Sequence, residues 1–255
     1  QRNDQFELTN DQVKKICNRN FIGCDQLILI KENKKYDAEL KFFNSDGSEA
    51  SACGNGTRCV AYFLSKENKK DIIDVYTSSG NLKSKIFDKK IVQTQIGTPK
   101  TKWNEIPINK NIDTVNLNIK IYDNNNKEFI GGTAINVGNP HVIFCVRNLE
   151  DFDIKKVGPV IEKHNLFPEK CNVTIAQVIN KSLIKVKVWE RGAGNTKACG
   201  TAACATAVAG KINGVTGSQT EIAFPLGNLS ILIDKENIIH MTGPVSEIEE
   251  IKIKL

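Results

Sequence analysis

The sequence predicts an α+β fold, rich in strand and built as two similar halves. Three observations carry that prediction. Short apolar segments, several alternating at period two as strands do, outnumber the stretches with helical spacing. Helical stretches are few. One order of features occurs on both sides of a proline-bearing segment near residue 100: strands, a Gly-rich polar turn, an Ala-Cys-Gly, then a helix.

Taken in order, TNDQVKKICNRN is the first expected helix, because Thr9 or Asn10 can cap its start with a side-chain oxygen. Strands are expected at CDQLILI near residue 27 and AELKFF near residue 40. The turn Asn44-Ser45-Asp46-Gly47-Ser48-Glu49 then leads through Ala52-Cys53-Gly54-Asn55-Gly56 into the helix GTRCVAYFLSKEN. IIDVYTSS near 74 and KIVQTQIG near 92 close the first half as strands. IGTPKTKWNEIPINKN, with two prolines and few paired apolar positions, reads as a linker. Beyond it come strands AINVG near 136 and HVIFCV near 143, the helix VGPVIEKHN, and the strand LIKVKVWE near 186. The second copy of the turn, Glu190-Arg191-Gly192-Ala193-Gly194-Asn195-Thr196, runs through Ala198-Cys199-Gly200 into the helix TAACATAVAGKING. Strands EIAF near 222 and LSILI near 231 follow. The expected halves are residues 1–101 and 102–244.

Composition narrows the function classes. The 255 residues are 40% hydrophobic and 25% charged, an ordinary globular balance. The net charge of +6 comes from lysines scattered among asparagines, and aromatic content is 7%, so no nucleic-acid reader is recognisable. Apolar runs such as Leu27 to Ile30 fall far short of the roughly 20 residues that span a bilayer. The opening QRNDQFELTN has no signal-peptide core, and a cytoplasmic location is expected, with no membrane partner. Eight cysteines without a CxxC pair, and three histidines, favour reduced thiols over a disulfide framework or a metal site.

Cys53 and Cys199 stand apart from the other thiols because each is expected where a Gly-rich turn enters a helix. The unpaired N–H groups and positive dipole end at such a place favour an anion, and lower a thiol pKa from its reference near 8.5. The amides of Gly54, Asn55, Gly200 and Thr201 become donors for a substrate carboxylate. If the halves face each other about a pseudo-twofold axis, two thiols flank one substrate. A carbon acid held there can lose a proton to a thiolate on one face and gain one from a thiol on the other, which inverts the centre. Helix N-termini can stabilise the enediolate-like carboxylate electrostatically, so no electron-sink cofactor is needed. The two thiols would titrate as a coupled pair and give a bell-shaped pH dependence.

The stretches GCDQLILI, FFNSDGSEASACGNGTRC, NVGNPH, ERGAGNTKACGTAACA and MTGPV resemble those of the diaminopimelate epimerases, cofactor-independent amino-acid epimerases of lysine and peptidoglycan precursor synthesis. The resemblance covers nearly the whole chain. It implies two pseudo-symmetric halves, each a mixed sheet wrapped around a central helix, with residues 245–255 returning as a strand to the first half. It implies catalytic Cys53 and Cys199, and substrate contacts from Gln26, Asn44, Asn139, Asn172, Glu190 and Arg191 beside the four amides. Arg191 would take the distal carboxylate in bidentate fashion, and His141 with Glu190 would modulate the thiol pair. A small amino-acid substrate, no cofactor, no metal and a homodimer are implied as well. The family opens with a strand and a GLGNDF-like turn that are not in this sequence, so the chain as given is expected to lack a core strand and that substrate contact. It also has one glycine more before the position of Ile22, which leaves the placement of Gln26 open.

Blander readings stand beside these. Cys59 and Cys204 are expected to pack in apolar helix faces, and Cys17, Cys24, Cys145 and Cys171 to be packing residues too. Arg191 and Glu190 have the usual alternative of solvated or ion-paired surface charges. His164 and His240 belong to no motif, and the small side chains of Ala202 to Ala209 fit close packing of a central helix. The functional alternatives are a proline or hydroxyproline racemase or epimerase of the same two-thiol type, and a non-catalytic relative acting as binding module or redox sensor.

Overall fold

The structure is a computed structural model that describes residues 7–50, 53–87 and 90–253. It divides into two compact units, Gln1–Gln95 with Gly243–Leu255, and Ile96–Thr242. Among the described residues no helix is long and apolar enough to cross a membrane.

The first unit begins with α1 (Asn10–Cys17). Thr9 caps it reciprocally with Gln12: the Thr9 Oγ1 accepts the Gln12 N–H at 3.3 Å, and the Gln12 side chain accepts the Thr9 N–H at 2.9 Å. Val13, Ile16 and Cys17, three and four apart, form its buried face. The strands are β1 (Gln26–Lys31), β2 (Ala38–Asn44), the short β3 (Glu49–Ala50), β4 (Ile72–Thr77), β5 (Gly80–Phe87) and β6 (Ile91–Gly97), with α2 (Gly54–Asn68) between β3 and β4. They lie in the order β1-β2-β4-β5-β6 with β3 folded back on β2. Strands β2 and β4 run parallel, as a crossover through α2 requires. Val60, Ala61 and Leu64 of α2 pack on Leu40, Phe42, Ile73, Val75 and Val92 of the sheet. Cys59 departs from its expected packing role, since it lies on the exposed face of α2.

The second unit contains a two-stranded ribbon, β7 (Ile119–Tyr122) with β8 (Glu128–Gly131), and the strands β9 (Thr133–Asn136) and β10 (Pro140–Val146). Helix α3 (Ile154–Glu162) follows, then β11 (Asn172–Asn180), β12 (Leu183–Glu190), β13 (Gly194–Thr196), α4 (Gly200–Ile212), β14 (Gln219–Phe224), β15 (Gly227–Ile233) and β16 (Ile239–Pro244). The sheet order is β16-β15-β14-β12-β11-β10-β9, with β13 on β12. Helix α4 touches β9, β10, β11, β14 and β15, so this sheet curves around it. The helix is buried from Ala202 through Gly210 on every side, and its run of alanines lets the strands close in. On the other face of β11, Val173 and Ile175 meet α3 residues Val157 and Ile161.

The internal repeat predicted from the two Ala-Cys-Gly helix starts is present in the architecture. Each unit holds strand, strand, short back-folded strand, helix and three further strands, with β2–β4 matched by β12–β14 as the parallel pair. Gln26, Asn44, Cys53 and Gly54 have counterparts Asn172, Glu190, Cys199 and Gly200, all at an offset of 146 positions.

Two expectations need correction. The segment near residue 100 is no exposed linker. Ile106 and Ile108 are buried in the core around α3, and Lys100 pairs with Asn136 while the Asn109 N–H donates to Leu166 O. Its prolines, Pro99 and Pro107, break regular structure without preventing burial of Ile106 and Ile108 on either side of the second. The closing segment forms no strand from Val245 to Ile253, the last described residue. Its tie to the first unit is local: the Val245 N–H donates to Lys90 O at 3.0 Å and the side chain enters the core of α2.

Ile106→Ala should therefore cost about 2–5 kcal/mol of stability in urea unfolding, the usual range for truncating a fully buried isoleucine. A loss below about 0.5 kcal/mol, as at a surface site, would return the segment to linker status.

Candidate active site

In the first unit Cys53 is the N-cap of α2, with extended backbone (φ −144°, ψ 102°). Its sulfur accepts the Gly56 N–H at 3.2 Å, and its carbonyl accepts both the N–H and the hydroxyl of Thr57 at 2.8 Å. A Cβ at Gly56 would meet Ile28 Cδ1 at 2.4 Å and Cys53 Sγ at 3.1 Å, so a larger residue there would displace the Ile28 side chain and crowd the sulfur. The N–H groups of Gly54 and Asn55 precede the first intrahelical bond and point out of the helix start. Ser51 and Ala52, which lead into this cap, lie outside the described residues.

Gln26 opens β1 opposite Asn44 at the end of β2. The Gln26 Nε2 donates to Asn44 Oδ1 at 3.2 Å, so the shorter turn before Gln26 still brings the two amides together. Asn44 is oriented by the turn after it: its Nδ2 donates to Ser48 Oγ at 3.1 Å, and Ser48 donates to Asp46 Oδ1 at 2.6 Å. Nearby, the Cys17 and Cys24 sulfurs lie 3.4 Å apart, and burial together with Cys17 pushes the Cys24 thiol up to about 12.

In the second unit Cys199 caps α4 with almost the same backbone as Cys53 (φ −145°, ψ 118°). Its sulfur lies 3.4 Å from Thr201 Oγ1, and Gly200 and Thr201 open the helix as Gly54 and Asn55 do in the first unit. The expected lowering of the thiol pKa does not hold at this site. Burial raises it, the Glu190 carboxylate beside it adds to the rise, and hydrogen bonds from Thr201 and the Ala202 N–H only partly oppose them. Desolvation of a nearly enclosed sulfur outweighs the dipole of one helix end.

Around Glu190 the structure gathers Asn139, His141, Asn172 and Arg191. His141 stands opposite Asn172 in the β10–β11 ladder. The Asn172 Nδ2 donates to Pro140 O at 2.9 Å, and its Oδ1 accepts the Arg191 N–H at 2.9 Å. Arg191 itself is exposed, with Nη1 donating to Glu169 O at 2.8 Å. His141 is fully buried, and its Nε2 donates to Asn139 Oδ1 at 2.8 Å. Its Nδ1 has no partner among the described residues. Burial first, and Arg191 second, hold its pKa down to about 3, so the ring is neutral. Two residues were missed in the sequence. Glu162 accepts the Trp189 indole N–H at 2.7 Å and the Gly192 N–H at 3.2 Å. The available signal was the pair Gly158 and Glu162, four apart on one face of VGPVIEKHN. Cys171 and Cys204 are packing residues as expected, and His240 is tied to Asp234 at 2.7 Å.

A histidine whose native pKa lies near 3 against an ordinary 6.5 binds a proton in the unfolded chain first. Stability is therefore present above pH 6.5 and lost as pH falls from there towards 3, by up to about 1.4 kcal/mol per pH unit for one proton. Unfolding measured between about pH 7 and pH 4 should fall more steeply for the wild type than for His141→Gln. Parallel curves would mean that His141 is not held neutral.

A family profile described as diaminopimelate epimerase matches residues 1–102 and 133–248. The chain is 63% identical over 255 residues to the diaminopimelate epimerase of Pelagibacter ubique, covering 100% of this chain and 93% of that one. It is 40% identical over 238 residues to the diaminopimelate epimerase of Carboxydothermus hydrogenoformans, covering 92% and 85%. Among solved structures, a phenazine biosynthesis protein of the PhzF family from Bacillus anthracis shares the fold with a TM-score of 0.65 at 16% identity, covering 93% and 86%. A hydroxyproline epimerase from Agrobacterium vitis shares it with a TM-score of 0.61 at 12% identity, covering 92% and 76%. With the repeated thiol-capped helices and a full-length match at this identity, the chain belongs to the diaminopimelate epimerase family of isomerases.

Proposed function

We propose that the chain inverts one α-carbon of 2,6-diaminopimelate, converting the LL to the meso form, with Cys53 and Cys199 as the acid/base pair. The observation that carries this reading is the matched pair of cysteine N-caps, with the same extended backbone at the same repeat position. One sulfur takes the α-proton as the Cα–H bond breaks, and the thiol on the opposite face gives its proton to the same carbon. The N–H groups of Gly54, Asn55, Gly200 and Thr201 hold the α-carboxylate and stabilise the charge that develops on it. Cys199, kept protonated by burial and Glu190, is the proton donor in the LL-to-meso direction of this reading. In the reverse direction the roles exchange.

Gln26, Asn44, Asn139 and Asn172 supply neutral donors and acceptors for the remaining polar groups of a doubly zwitterionic substrate. Arg191 binds the distal carboxylate. His141 is too strongly held neutral to act as a general base, and it shapes the wall beside Asn139 and Asn172. The mechanism needs no electron-sink cofactor. A cytoplasmic homodimer that feeds lysine and peptidoglycan synthesis completes the reading, on the strength of the family resemblance.

Deuterium exchange at the α-carbon of LL-diaminopimelate in D₂O under reducing conditions should be accompanied by inversion. Cys53→Ala and Cys199→Ala should each slow inversion by about 10²–10⁴-fold, the usual contribution of a positioned acid or base. Full activity in either variant would defeat the two-thiol mechanism. Faster turnover of proline or hydroxyproline in competition would move the chain to the racemase alternative.

A further inference from the structure

Glu162 closes α3 with a buried side chain that uses both carboxylate oxygens. Oε2 accepts the indole N–H of Trp189 at 2.7 Å, and Oε1 accepts the backbone N–H of Gly192 at 3.2 Å. These donors stand on either side of Glu190 and Arg191. Trp189 is docked by Gly158, one helical turn before Glu162, where a Cβ would meet Trp189 Cγ at 2.3 Å. No Lys or Arg lies within ion-pair distance of Glu162 among the described residues. A buried carboxylate without a cation is costly, and an apolar residue would pack α3 against the sheet as well or better. What a carboxylate adds is two directed acceptors.

The two flanked residues differ in how they are otherwise held. Glu190 is the last residue of β12 and is paired with Gly194 across the β12–β13 ladder. Arg191 lies past the strand end, where no ladder holds it, and its side chain is exposed. Its fixed points are the Asn172 Oδ1 on its N–H and the Glu169 carbonyl on Nη1. Gly192, the next residue, adopts φ +77° and can turn because it lacks a side chain. Without Glu162 the turn would keep its own closing bond, Ala193 N–H to Glu190 O at 3.1 Å, and Asn172, but lose its tie to α3.

We propose that Glu162 is a positioning residue for substrate recognition: through Trp189 and Gly192 it fixes the turn from which Arg191 reaches the distal carboxylate of an amino diacid. This rests on the epimerase reading given above. It concerns binding of the far end of the substrate and not the proton transfers at the α-carbon.

Glu162→Gln keeps the shape but leaves one acceptor for two donors, since the other end of the amide is itself a donor. Trp189→Phe keeps the ring packing and removes one donor. Either should raise KM for LL-diaminopimelate about tenfold with kcat within about threefold, the pattern of lost uniform binding. Introduced into Arg191→Ala, Glu162→Gln should leave KM nearly unchanged, because residues that act through one another are not additive. In the ¹H–¹⁵N spectrum the Trp189 indole signal should move in Glu162→Gln while that of Trp103 stays. An equal rise in KM with and without Arg191, or a fall in kcat at constant KM, would overturn the proposal, as would wild-type kinetics in a folded variant whose Trp189 signal has moved. An unmoved Trp189 signal would remove its structural basis. A wild-type chain that does not turn over diaminopimelate would instead fail the epimerase reading, and this proposal with it.

Discussion

The start of a buried helix is the constraint on which the rest of the structure turns. Its first N–H groups have no intrahelical acceptor, and inside a wrapped sheet they have little water. Ser, Asp or Asn would satisfy them well at the N-cap. This chain places cysteine there twice. Sulfur is a weaker acceptor than oxygen; at Cys53 it takes the Gly56 N–H and at Cys199 it meets the Thr201 hydroxyl. A carboxylate at such a helix start is a stronger acceptor than sulfur. Glycines at 54, 56 and 200 keep side chains out of the way, which is why the motif is glycine-rich as well as cysteine-bearing.

Enclosing such a helix also dictates its composition. The alanines of α4 let β9, β10, β11, β14 and β15 approach it closely, and larger residues on those strands fill the layer. Gly210 follows the same logic, since a Cβ there would meet Thr216 Oγ1 at 2.5 Å. Helix α2 is less extreme and keeps an exposed face at Cys59 and Lys66. The apolar pattern of GTRCVAYFLSKEN could not reveal which face of Cys59 meets solvent, because a cysteine between an arginine and a valine is compatible with either.

Much of this was legible because it depends on local chemistry. Four helices and most strands follow from periodicity and caps, as at Thr9 and Gln12. The repeat follows from its two Ala-Cys-Gly helix starts. What escaped has a physical reason in each case. β11 is buried on both faces between α4 and α3, so NVTIAQVIN has no alternation to read. β5 turns Leu82 and Ile86 inward on either side of a buried Ser84, which bonds Thr94 across the sheet, so its apolar stripe is broken by a hydroxyl. The segment around Ile106 hides its burial behind prolines. At the site, the gathering of Asn139, His141, Asn172, Glu190 and Arg191 depends on the β10–β11 and β11–β12 ladders, which the sequence states only as separate motifs. Glu162 was hidden because its partners are a neighbouring strand and turn, while its own helix looks like an ordinary amphipathic one.

The repeat also sets different residues beside two equivalent thiols. Asn44 lies nine residues before Cys53, and Glu190 lies nine residues before Cys199, so an amide and a carboxylate hold the same place in the two copies. At Cys199 that carboxylate adds to burial in holding the proton on sulfur. At the matching place Asn44 brings no charge and is engaged with Gln26 and Ser48. An acid/base pair needs one thiol and one thiolate, and two sites of identical surroundings would share the proton without preference. A single difference in residue type at a duplicated position breaks that degeneracy without disturbing the backbone, which is nearly the same at both caps. The difference between the two caps is therefore written on the strands that precede the helices, while the helix starts themselves keep the same backbone.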